Sequence, residues 1–153
     1  MELKFELVKN EDKYPYVLLL LADETIQSIH SYIFKSEVYL VRINEEPVGA
    51  FCLYEIDQNT VELKNIAVAR QLQSKGIGTQ IVDFIKQYLK AQKYRTLIVG
   101  TADVGRRQIK FYEKNGFLKY DILEGFYVEN YDHPIFENGV QLKDMVLLKY
   151  QLP

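Results

Sequence analysis

The sequence predicts one α+β domain over residues 1–153, and three observations carry that prediction. Residues 61–92 read as a strand, a basic turn holding Gly76 and Gly78, and a helix whose apolar residues Ile77, Ile81, Phe84, Ile85, Tyr88 and Leu89 recur at helical spacing. A near-continuous apolar run, Leu97-Ile-Val99, follows, and strand–helix–strand order implies a parallel pair of strands covered on both faces. The flanking segments read as strands joined by short turns, which makes the remainder of the sheet antiparallel.

In chain order, Leu3, Phe5 and Leu7 alternate with Lys4 and Glu6 as in a half-buried strand over 3–9. Tyr14 to Leu21 is predicted as a short helix with Pro15 in its first turn, and Thr25 to Phe34 as a second with Ile26, Ile29 and Ile33 on one side. Glu37 to Ile43 and Val48 to Ile56 are strands joined by the hairpin signal Asn44-Glu-Glu-Pro47, and Asp57-Gln-Asn59 turns the chain into the strand of the central stretch. After the strand Tyr94 to Thr101, Asp103 to Asn115 forms a shorter helix that Gly116 stops. Phe117 to Leu123 and Asp144 to Leu152 close the sheet. Between them, residues 124–143 hold Tyr127, Tyr131, Pro134, Phe136, Asn138 and Gly139 without periodicity, a connection long enough to be functional.

Composition narrows the function classes. The 19 basic against 21 acidic residues give a formal charge of −2, which argues against a nucleic-acid partner, and the 48% hydrophobic content is that of an ordinary globular domain. Cys52 is the single cysteine, so no internal disulfide forms; it reads as core filler. The two histidines, His30 and His133, have no metal-site spacing, so no metal is expected. The amino terminus lacks a signal-peptide layout, and the apolar run Val17 to Ala22 is too short to span a bilayer. A soluble, cytoplasmic protein without a membrane partner is expected.

Gly76-x-Gly78 at the start of a helix leaves backbone N–H groups bare at the positive end of the macrodipole, which suits an oxyanion such as a diphosphate. A Walker A loop needs a lysine after its last glycine, whereas Lys75 precedes Gly76, and a Rossmann fingerprint needs a third glycine where Ile81 stands. Gln73-x-x-Gly76-x-Gly78, preceded by a strand ending Asn65-Ile-Ala-Val68 and followed by Phe111-Tyr112-Glu-Lys-Asn-Gly-Phe117, resembles the Gcn5-related N-acetyltransferases, most clearly over residues 36–120. The resemblance implies a mixed, mostly antiparallel twisted sheet of about seven strands, with helices on both faces and a splayed parallel pair at the cofactor site. It implies acetyl-CoA as co-substrate. The backbone of Ile66, Ala67 and Val68 would pair with the pantetheine arm like an added strand. N–H groups of Gln73, Ser74, Lys75, Gly76, Ile77, Gly78 and Thr79 would hold the diphosphate, with Lys75 either adding charge or standing as a solvated turn residue.

An amine of pKa about 10.4 is mostly protonated at neutral pH, so attack on a thioester requires a base. Glu62, eleven residues before Gln73, stands where lysine-modifying members of that family carry theirs; the alternative is an ordinary strand glutamate. The Val68 N–H is the implied donor to the oxyanion that develops on attack. Tyr112 stands where many members use a tyrosine to protonate the leaving sulfur, and a phenol of pKa about 10 keeps its proton at neutral pH. Its other reading is a core tyrosine packed on Ile109. The asparagine that members often carry seven residues earlier is Gly105 here; Asp103 either substitutes near the pantetheine or caps the helix. Among Arg106, Arg107, Lys110 and Lys114 on that helix, Lys114 is the candidate for the 3′-phosphate of CoA, a solvated face being the alternative.

The expected function is acetyl-CoA-dependent transfer to a primary amine, directly in a ternary complex, since no covalent nucleophile is apparent. Glu124, Glu129, Asp132, Glu137 and Asp144, mixed with Tyr127, Tyr131 and Phe136, point to a small cationic acceptor. A protein lysine or amino terminus is the alternative acceptor, and a non-catalytic acyl-CoA-binding regulatory module the alternative class. The resemblance also raises a homodimer through the last strands as the assembly.

Overall fold

The computed structural model describes residues 2–153. Strand β1 (Lys4–Leu7) leads through a 3-10 turn into α1 (Tyr16–Leu19) and α2 (Ile26–His30). Strands β2 (Ser36–Ile43), β3 (Glu46–Asp57) and β4 (Thr60–Val68) form the expected meander; Asn44 and Glu45 both take positive φ, as a two-residue hairpin turn demands. Helix α3 (Ile77–Ala91), strand β5 (Thr96–Ala102), helix α4 (Arg106–Lys114) and strand β6 (Leu118–Leu123) follow. The 124–143 connection, predicted without elements, holds α5 (Phe126–Glu129) and a minimal hairpin, β7 (Phe136–Glu137) and β8 (Val140–Gln141), before β9 (Met145–Gln151). Asn138 and Gly139 turn that hairpin at positive φ.

Seven strands make one sheet in the order β1-β2-β3-β4-β5-β9-β6, antiparallel throughout except for β4 and β5. Both predicted amino-terminal helices are shorter than the apolar spacing suggests. Pro15, expected inside the first turn, is the N-cap of α1, and the second helix gives way after His30 to a 3-10 turn at Ile33–Lys35. Thr25 caps α2 by accepting from Ser28 N–H at 3.0 Å. Ile29 and Ile33 are fully buried with Leu19, Val38, Ala50 and Cys52, forming the core on one face of the sheet.

The larger core lies on the other face. Ile77, Ile81, Val82, Ile85 and Leu89 of α3 and Ile109, Tyr112 and Phe117 of the α4 unit pack there on Val61, Leu63, Leu97, Val99 and Leu148. Strand β5 buries Leu97 and Val99 on that face; on the other, Ile98 and Gly100 are only half-buried, and Ala102 at the strand's end is covered by Tyr127, Ile135 and Leu142. The expected cover on both faces is met only in part, because the α1–α2 layer stops short of β5 and the 124–143 connection covers just the strand's end.

Two irregularities shape the centre. Parallel pairing of β4 with β5 covers only Thr60–Leu63 against Thr96–Val99, although β4 runs on to Val68 and β5 to Ala102. Opposite, the register of β4 against β3 shifts between Leu63 and Asn65, which leaves Lys64 as a β-bulge where the parallel pairing ends. Such a bulge bends and twists its strand. The two strands therefore part into the splayed gap that the sequence resemblance implies.

Candidate active site

Backbone direction decides which atoms line the gap. Ala69 N–H donates to Val48 O of β3 at 2.8 Å, so by alternation along the strand the polar groups of Val68 and Ile66 face away from β3, into the gap. Ala67 is the exception among the three predicted residues. Its carbonyl faces β3 so closely that a side chain on Gly49 would bring a Cβ to 2.8 Å of that oxygen, so its backbone is committed to the sheet. The Val68 carbonyl is taken by Gln73, whose Nε2 donates to it at 3.0 Å. The N–H groups of Ile66 and Val68 and the Ile66 carbonyl have no partner among the described residues.

The turn after β4 forms a cradle of bare backbone amides. Gly76 is the N-cap of α3 at φ 83°, with open space where a side chain would be, and no side chain caps the helix. Gln73, the first predicted donor, is already engaged: its N–H donates to Arg70 O at 3.3 Å, and its side chain anchors the turn to β4. From Ser74 through Lys75, Gly76, Ile77, Gly78 and Thr79, none of the N–H groups meets an acceptor among the described residues. These amides converge at the positive end of a 15-residue helix. Gly78 permits a close approach of α4: an added Cβ would lie 3.2 Å from the Phe111 ring, which would have to give by a few tenths of an ångström.

Tyr112, next to Phe111 on α4, is buried at 7% exposure between the edges of the Phe111 and Phe117 rings, with centroids at 5.2 and 5.5 Å. Its hydroxyl has no partner among the described residues. Burial pushes its phenol well above the ordinary range, so it holds its proton at neutral pH. Both sequence readings of Tyr112, core residue and proton holder, are compatible with this position.

Glu62 lies on the opposite face of the sheet, since Val61 and Leu63 on either side of it belong to the α3 core. It pairs in register with Ile98 just before the gap opens. Its Oε1 is 3.2 Å from Lys64 Nζ, and that ammonium lies 6.0 and 5.6 Å from the Tyr32 and Tyr54 ring centroids. Glu62 and Tyr112 thus lie on opposite faces of the sheet.

Other predicted residues fall elsewhere. Asp103 does not cap α4: the helix begins three residues later, with Gly105 as an N-cap lacking any side-chain bond, because the chain first turns through Gly105 N–H to Ala102 O. The exposed Lys114 occupies the last turn of α4, while Arg107 at its start reaches the cradle, donating through Nη2 to Ser74 Oγ. The two are seven residues apart on one helical face, about 10 Å along the axis. Lys75 is exposed and makes no ion pair among the described residues.

The 124–143 connection bridges the mouth of the gap. Tyr127, Ile135 and Leu142 pack on Ala102 at the end of β5, and Tyr131 reaches across to α1–α2, donating to Asp23 Oδ1 at 2.9 Å. Asp23 also accepts from Ser28 Oγ at 2.9 Å and Tyr32 O–H at 2.8 Å, and Tyr32 accepts from Asn65 of β4 at 3.1 Å. Asn65 Oδ1 is left as a buried acceptor without a partner. Of the five carboxylates expected around an acceptor, Glu137 alone joins this group: burial, then the charges of Glu137 and Asp23, push the Glu24 carboxyl up. Asp132 pairs with His133 at 2.6 Å, and Asp144 accepts from Gly125 N–H at 2.9 Å. Asp23 and Glu24 carry no signal in the sequence, where they read as residues leading into the α2 cap. Among the described residues, no cluster of three or more His, Cys, Asp or Glu side chains is arranged for a metal ion, and no helix is long and apolar enough to cross a membrane.

A model of the Acetyltransferase (GNAT) family matches residues 6–117. The uncharacterised N-acetyltransferase YvbK of Bacillus subtilis strain 168 is 36% identical over 151 residues, 99% of this chain and 97% of the relative. Among solved structures, a GNAT family acetyltransferase from Elizabethkingia anophelis with acetyl-CoA bound superposes with a TM-score of 0.93 at 38% identity, covering 98% of both chains. A Bacillus subtilis acetyltransferase in complex with CoA gives a TM-score of 0.86 at 37% identity, covering 99% of this chain and all of that one.

Proposed function

The chain belongs to the acetyltransferase (GNAT) family, and from that premise we propose that it moves an acetyl group from acetyl-CoA to the primary amine of a small cationic molecule, directly in a ternary complex. Acetyl-CoA, when bound, supplies an activated thioester. The residues present fit it: six N–H groups without acceptors, from Ser74 to Thr79, suit the diphosphate, and the unpaired edge at Ile66 and Val68 suits an amide-bearing arm. Glu62, whose Oε1 lies 3.2 Å from Lys64 Nζ, takes a proton from the acceptor ammonium. The Val68 N–H faces the gap as a donor to developing negative charge. Tyr112 Oη holds a proton for a departing thiolate.

One observation carries the small acceptor. The Tyr131–Asp23 hydrogen bond at 2.9 Å joins the two walls of the gap, which disfavours an extended protein chain lying across it. Cationic character is supported by Asp23, Glu24 and Glu137, which have no cationic partner among the described residues; burial, then the charges of Glu137 and Asp23, push the Glu24 carboxyl up, beside the stacked rings of Tyr127 and Tyr131. The test is CoA-thiol release across polyamines, amino sugars, amino acids and short peptides, beside thermal stabilisation by acetyl-CoA. Turnover confined to small amines is the expected result. Turnover of peptides alone overturns the acceptor, and absence of stabilisation by saturating acetyl-CoA overturns the cofactor.

A further inference from the structure

Arg107 is an exposed guanidinium with no carboxylate in ion-pair reach among the described residues, and its one recorded side-chain partner is the hydroxyl of Ser74, the first residue of the cradle. A cation held to a neutral hydroxyl beside six unserved N–H groups is a local excess of donors with no acceptor. The arrangement is also braced. Arg107 stands in the first turn of α4, whose Phe111 one turn on packs against the α carbon of Gly78, so helix and cradle are fixed relative to each other. Guanidinium has a planar fork of donors that matches two oxygens of one phosphoryl group, and releasing Ser74 costs a single neutral hydrogen bond.

We propose that Arg107 is a cofactor-binding residue that closes the cradle from the α4 side, by gripping the CoA diphosphate that the amides of residues 74–79 hold from the α3 side. This rests on the reading of the cradle as a CoA site. It assigns to Arg107 the phosphate contact that the sequence suggests for Lys114, and directs it to the diphosphate rather than to the 3′-phosphate.

Calorimetric titration of the full chain with CoA, 3′-dephospho-CoA and the phosphate-free probe acetyl-pantetheine tests it in wild type, Arg107→Ala and Arg107→Lys. Arg107→Ala is expected to weaken CoA and 3′-dephospho-CoA equally, by about tenfold or more, as for loss of a charge-assisted hydrogen bond. It should leave acetyl-pantetheine affinity and the ligand-free thermal midpoint in place. Arg107→Lys should recover part of the loss, since lysine restores charge without the fork. Equal CoA affinity in wild type and Arg107→Ala overturns the proposal. So does a loss confined to CoA, which would move the contact to the 3′-phosphate, and so does an equal loss for acetyl-pantetheine, which would make Arg107 a brace for the loop. A wild-type chain that binds neither nucleotide overturns the CoA reading beneath it.

Discussion

Tyr112 and Lys86 show how differently two partly hidden polar side chains are used. The Tyr112 hydroxyl bonds to nothing among the described residues, so its removal costs the fold little, and Tyr112→Phe should leave the denaturation midpoint within about 0.5 kcal/mol of wild type. Turnover in the same variant should fall roughly a hundredfold if the phenol serves as general acid; unchanged turnover would remove it from the chemistry. Lys86 is the opposite case. Its ammonium donates to the Asn115 carbonyl at the end of α4 and lies 4.0 Å from the centre of the Tyr150 ring, and burial lowers its pKa. Lys86→Met keeps the aliphatic stem but strands that carbonyl, so chemical denaturation should show a loss of about 2 kcal/mol, with no change in CoA affinity. Arg107 and Lys114 explain a limit on reading single residues: both lie on one helical face, and nothing in the spacing tells which end of α4 meets the loop after β4.

At the scale of elements, the segments with strong periodicity were legible. Helix α3, its glycine-opened start and the stop at Gly116 follow from local patterns, and these also mark the cradle and Tyr112. What was not legible depends on partners far apart in the chain or on backbone direction. Tyr131 and Asp23 are 108 residues apart, so no spacing rule links them, and Ala67 looks like its neighbours until the alternation of N–H groups turns it to β3. The 124–143 connection gains its order from such contacts, which makes it testable. Tyr131→Phe removes donation to Asp23 while keeping the ring stacked on Tyr127, with centroids 6.0 Å apart. Hydrogen exchange should then speed up across 124–143 while β2–β4 keep their protection, with a global loss of about 1 kcal/mol. Equal exchange across 124–143 in wild type and Tyr131→Phe would show that the tether does not order the connection.

For the whole molecule, burial of phenols sets an alkaline limit. Tyr32, Tyr112, Tyr127 and Tyr131 are all raised, each chiefly by burial, while an unfolded tyrosine ionises near pH 10. The stability they contribute is present in full below about pH 10 and is lost as pH rises above it, because the unfolded chain releases protons that the folded chain keeps; each such phenol costs about 1.4 kcal/mol per pH unit in that window. Phenolate absorbance should therefore appear together with loss of the far-ultraviolet signal. Ionisation of all tyrosines near pH 10 with the fold intact would contradict this. Cys52 follows the same rule: burial pushes its thiol up to about 12, so alkylating reagents at neutral pH should label it only after denaturation. The bulge at Lys64 also has a meaning for the molecule as a whole. Before it the odd-numbered residues Val61 and Leu63 enter the α3 layer; beyond it the even-numbered Ile66 and Val68 do, and Asn65 turns to the α1–α2 layer. Lys64 is thus a parity switch: paired in a regular strand it would exchange the two layers for the rest of β4, sending Asn65 into the apolar side and Ile66 onto Tyr32, whereas deleting that one residue would keep both layers and remove only the bend that opens the gap.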